Sequence, residues 1–146
     1  MEFPQTAAMV GAFLLILQQF LMMNTGSHRA KTEIGVGHGD DLNLERKTRR
    51  HGNLADNAAI FIVVLALTEG LTGGGLTITA FGAIFVFARL CHAIGFMSTT
   101  GSHATRDGPK FFVLFRMVGA TLTGLAGLGL GFYLAFQLLK SSGSLG

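Results

Sequence analysis

Four apolar runs dominate this chain, and each is about as long as a bilayer is thick. A helix needs roughly 20 mostly apolar residues to cross the hydrocarbon core. "FPQTAAMVGAFLLILQQFLMM", residues 3–23, meets that length, and so do runs at 55–71, 76–97 and 111–139. Backbone N–H and C=O groups in lipid must be satisfied within the segment itself, which leaves the helix as the only form for such runs. The expected fold is all-α and integral to the membrane: one domain, residues 1–146, built as a four-transmembrane-helix bundle. The first run has no Lys or Arg ahead of it and no small-residue cleavage site behind it. It therefore reads as a retained helix and not as a signal peptide.

The rest of the composition agrees. Only 13% of residues are charged, about half the share of a soluble domain. A single cysteine, Cys91, excludes an intrachain disulfide and a multi-cysteine zinc site. The histidines lack ligand spacing, so no metal is expected. A net charge of +3 could suggest nucleic acid. The basic residues, however, sit beside the apolar runs, where membrane topology explains them; no nucleic-acid partner is expected.

Charge also sets the orientation. "EGLTGGGLT" between the second and third runs is a tight antiparallel turn. The polar stretch at 24–50 carries Arg29, Lys31, Arg46, Lys47, Arg49 and Arg50, and the third connection carries Arg106 and Lys110. These eight of eleven Lys and Arg lie on one side, and only Lys140 lies opposite. The positive-inside rule puts the segments at 24–53 and 98–110 in the cytoplasm and both termini in the periplasm of a bacterial inner membrane. In the fourth run Gly119, Thr123, Gly127 and Gly131 recur at four-residue steps, a spacing that lets helix backbones touch, within the subunit or between subunits.

The entrance to the second run, "RRHGNLADN" at 49–57, is far more polar than an anchor requires. At about 100° per residue, Arg49, Asn53, Asp56 and Asn57 share an arc of roughly 100°. In the third run Arg89, His92 and Phe96 share another stripe. A charge deep in a span costs about 2.5–3.5 kcal/mol on insertion scales, so Arg89 should face the interior. Asp56 is its expected counter-ion. With Arg49 and Arg116 nearby, cation outnumbers carboxylate, which would suit an anionic ligand; a purely structural ion-pair network is the plainer alternative. Glu69 reads as interfacial and Cys91 as inert packing.

These residues also resemble a known family. Arg49-x-His51-x-Asn53-x-x-Asp56-Asn57 is similar to the second-helix signature of MAPEG proteins, the membrane-associated proteins in eicosanoid and glutathione metabolism. "ARLCHAIGF" resembles the third-helix signature of small bacterial members, "FRMVGATLT" the start of their fourth helix, and "GHGDDLNLERKTRRHGN" their first loop. The resemblance implies a homotrimer in the bilayer with glutathione as co-substrate. It implies a glutathione-dependent transferase or peroxidase acting on apolar electrophiles or lipid hydroperoxides. Carried over by position, Arg49, Asn53, Asp56 and Asn57 would bind the tripeptide with Arg89 and His92. Arg106 or Arg116 would stabilise the thiolate. The chain departs from the pattern at Asp56, where the family has Glu, and at His92 and Phe96, where tyrosines stand in eukaryotic members. The alternative is a non-catalytic accessory or assembly subunit of a larger membrane complex.

Overall fold

The structure is a computed structural model and describes residues 3–98 and 109–143. It consists of four long helices: α1 (Gln5–Thr32), α2 (Leu42–Thr72), α3 (Leu76–Gly95) and α4 (Lys110–Ser141). All four are long and apolar enough to cross a membrane. The chain is a multi-pass membrane four-helix bundle.

Two helices run well past their apolar stretches. α1 continues through the polar residues 24–32, and α2 begins thirteen positions ahead of the apolar run at 55. Hydropathy marks where a helix leaves the hydrocarbon, not where its hydrogen bonds stop. Nothing in "NTGSHRAKT" breaks a helix until Glu33 turns left-handed at φ 58°. Asp41 restarts the chain: its carboxylate accepts from the N–H groups of Asn43 and Leu44, a standard N-cap. The connection between α1 and α2 is therefore only residues 33–41. Arg29 stitches it together by donating Nη1 to the carbonyls of Ile34, Gly35 and Gly37.

The α2–α3 turn is as tight as its glycines suggest. Gly73, Gly74 and Gly75 all have positive φ, at 76°, 84° and 106°. Three consecutive residues in that region require the absence of a Cβ.

α1 packs along α2 and α3 along α4. The pairs join through Leu14, Leu65, Ile78, Phe85 and Leu130, each 1% exposed or less. Phe61 of α2 stacks on Phe85 of α3, with centroids 3.7 Å apart and planes 5° from parallel. The α3–α4 contact is closer still. A Cβ on Gly119 would stand 2.5 Å from the His92 nitrogen, and one on Gly95 would stand 2.6 Å from the Arg116 nitrogen. Those two glycines bring the backbones together and set His92 beside Arg116. The expected small-residue stripe on α4 thus divides. Gly119 and Thr123 face α3, whereas Gly127 and Gly131 meet nothing within 4 Å.

Glu69, expected at the interface, caps the start of α1. It is 8% exposed, and its two oxygens accept from the N–H groups of Thr6 and Ala7 at 2.9 Å each. α1 starts after Pro4 with no side-chain cap of its own. Its orphan N–H groups draw in a carboxylate from the neighbouring helix instead.

Candidate functional site

A cavity of about 410 Å³ opens where α2, α3 and α4 meet at the end that carries the α1–α2 connection. Glu45, Arg46, Arg49 and Asn53 come from α2, His92 and Phe96 from the end of α3, and Arg116 and Ala120 from α4. Helix periodicity explains the α2 set. Positions 45, 46, 49 and 53 fall on adjoining turns of one side. Gly95 and Gly119 explain the rest, since only their close contact brings Arg116 to the α3 end.

Three guanidiniums and one carboxylate line this space. Arg46 donates to the Phe96 carbonyl at 2.9 Å and to Asn43 Oδ1 at 3.1 Å, so it also caps the end of α3. Arg116 lies over the Phe96 ring at 5.3 Å, and the rings of His92 and Phe96 are 4.9 Å apart. His92 is 6% exposed, and its Nδ1 has no hydrogen-bond partner among the described residues. An unpartnered buried ring nitrogen carries a desolvation cost of about 1–3 kcal/mol. A ligand with hydrogen-bonding capacity would relieve it.

The structure brings together Arg49, Asn53, His92 and Arg116 of the residues singled out from sequence. Arg49 and Asn53 also border a second cavity of about 430 Å³, with Arg29, Glu45 and Asp56. Asn57 lines a narrow slot between α2 and α4 with Phe61, Phe85, Thr123, Gly127 and Gly131. Arg106 lies outside the described residues. Arg46 was missed by the sequence reading, although it precedes Arg49 by three residues and so shares its helix face.

Arg89 and Asp56 do not pair, contrary to expectation. Arg89 is 3% exposed and donates to Thr123 Oγ1 at 3.1 Å, and that hydroxyl in turn donates a hydrogen bond to the Gly119 carbonyl at 2.7 Å. Asp56 is exposed, on the side of α2 that faces the second cavity. A short turn makes α2 and α3 neighbours, but it does not decide which side of each helix faces the other. Arg89 turned to α4, where a hydroxyl was available. Its Nε has no partner, and the one ion pair among the described residues is His28 with Asp41.

Four apolar helices around an arginine-rich cavity at one polar end define a multi-pass membrane protein. The MAPEG family model matches residues 7–136. The chain belongs to the MAPEG family, which includes glutathione transferases and peroxidases. Comparison with curated proteins finds no match.

Proposed function

We propose that the cavity holds glutathione and that the protein is a glutathione-dependent transferase or peroxidase for apolar electrophiles or lipid hydroperoxides. It would work as a homotrimer in a bacterial inner membrane. The observation that carries this reading is the arginine-rich lining: among the described residues, Arg46, Arg49 and Arg116 stand around the cavity with one carboxylate, Glu45. A peptide with two carboxylates and an ammonium fits such a set. Arg46 and Arg49 would fork onto carboxylates, and Glu45 would meet the ammonium. The second cavity, beyond Arg49 and Asn53, would let Asp56 contribute to the same ligand.

Bound glutathione would supply a thiol, the sulfur nucleophile of the reaction. This chain's part is to hold that sulfur charged. A free thiol has a pKa near 8.5, and a fixed cation beside it raises the thiolate fraction at neutral pH. Between the two arginines considered, Arg116 has the support of position, because it lines the cavity next to His92. Its contact with Phe96 limits its swing. Arg89 would act behind the wall by holding Thr123, near the middle of α4.

Calorimetry with glutathione tests this. Arg49→Ala should lose about 1.5–3 kcal/mol of affinity, the range for a hydrogen bond to a charged group. His51→Ala, on another side of α2, should lose little. Absence of binding at millimolar glutathione, or equal binding by the two variants, would overturn the reading and favour an accessory subunit.

A further inference from the structure

The side of the α2 entrance that faces α1 carries a second cationic cluster, whose residues do not line the cavity. Arg50 donates Nη2 to Asn24 Oδ1 at 3.2 Å, while its buried Nε has no partner. One turn away, Lys47 donates to His28 Nδ1 at 3.0 Å, and His28 Nε2 donates to Asp41 Oδ2 at 2.8 Å. Lys47 is therefore held in place from α1 through a histidine fixed by the α2 cap. Its charged neighbours are Arg46, Arg50 and Lys31, against Asp41 alone. Asp41 is already committed to His28 and to two backbone N–H groups. Like charges this close repel, and the one opposing carboxylate, already committed elsewhere, does not balance them.

Depth along the helices says what would. Asn24 directly follows the apolar run of α1, and Arg50 precedes that of α2 by five residues, about 7.5 Å at 1.5 Å per residue. The polar zone of each leaflet is roughly 5–7 Å deep. Asn24 thus lies at headgroup level and Arg50 at its outer edge, while Lys47 and Lys31 stand beyond it with side chains long enough to reach back.

We propose that Asn24, Lys31, Lys47 and Arg50 form a binding site for the phosphate of an anionic phospholipid headgroup. The terminal nitrogens of Arg50, at its exposed contact with Asn24, and the Lys47 ammonium make the direct contacts. The Asp41–His28 pair is a positioning device that keeps Lys47 aimed at them. The site is separate from the cavity and does not depend on what the cavity binds.

Native mass spectrometry of the detergent-purified protein, titrated with phosphatidylglycerol against phosphatidylcholine, tests the proposal. A basic residue near an anionic surface contributes about fivefold. Removing two should therefore cut the preference for phosphatidylglycerol by about thirtyfold in Lys47→Gln/Arg50→Gln. Lys140→Gln, at the other end of the bundle, should keep it. His28→Phe should lose part of the preference with both cations still present, which a bare charge effect would not do. Should the double variant fail to fold, Lys47→Gln alone should still show about a fivefold loss. No preference in the wild type, or a preference unchanged in the variants, overturns the site. Competition by millimolar inorganic phosphate as effective as the lipid would also overturn it, because the ligand would then be a free anion. Glutathione binding serves as the independent readout: the two proposals fail separately.

Discussion

Glu69 replaces a cap that the start of α1 lacks. It lies at the opposite end of α2 from the cavity and holds the N–H groups of Thr6 and Ala7. Glu69→Ala should destabilise the bundle by about 1.5–3 kcal/mol, the worth of hydrogen bonds to a charged group. Glu69→Gln, which keeps one acceptor oxygen, should lose less. Denaturant titration of helicity in detergent measures both, and equal losses would mean the carboxylate acts only by filling space. Asp41 offers a pH test outside the spans. The hydrogen bond from His28, then that from the Leu44 N–H, holds its carboxyl below the ordinary value of 3.8. A lowered folded pKa means the stabilisation is complete above 3.8 and is lost as pH falls through the lower folded value. Melting temperature should fall with pH in that acid window, and Asp41→Asn should flatten the fall. These two roles were invisible in the sequence for the same reason. Each carboxylate bonds to a partner set by how helices face one another, and facing is not written in hydropathy. Arg89 makes the point most clearly: its burial was legible from the cost of a charge in a span, but its choice of Thr123 over Asp56 was not.

At the scale of helices, the sequence located the apolar cores and left out their polar extensions. Apolar length tracks the solvent, whereas α1 ends only where Glu33 turns left-handed and α2 starts only where Asp41 caps it. The small-residue stripe on α4 was legible as a contact surface, and the structure divides its work. Gly119→Ala gains about 1 kcal/mol of helix propensity. It also drives a methyl group to 2.5 Å from α3 backbone, where only separation of the helices gives room. Overpacking costs about 1–3 kcal/mol, and against rigid backbone the upper end should win. The variant should be destabilised by about 2 kcal/mol net, and the separation should also move Arg116 away from His92 and weaken anion binding. Gly127→Ala meets open space and should be neutral or up to about 1 kcal/mol more stable. Loss of stability or of oligomer mass in Gly127→Ala would show that another chain occupies the α2–α4 slot, as a trimer could require.

The whole molecule carries its charge at one end. Arg29, Lys31, Arg46, Lys47, Arg49 and Arg50 gather around the α1–α2 connection, while the other end of the bundle offers Lys140. Both proposed anion sites use that asymmetry, one on each side of the α2 entrance. The same asymmetry should orient the chain, because basic residues next to spans resist translocation. Cysteine labelling in intact cells and in inverted vesicles reads the result. Val36 is 93% exposed in the α1–α2 connection, and Ser141 is exposed at the end of α4. The native Cys91 is 3% exposed and should leave little background. Val36→Cys should react with an impermeant maleimide only in inverted vesicles, and Ser141→Cys only in intact cells. The reverse pattern would put the arginine-rich cavity in the periplasm. Cytoplasmic glutathione would then have no direct access to it, so this one measurement bears on the proposed co-substrate as well as on the topology.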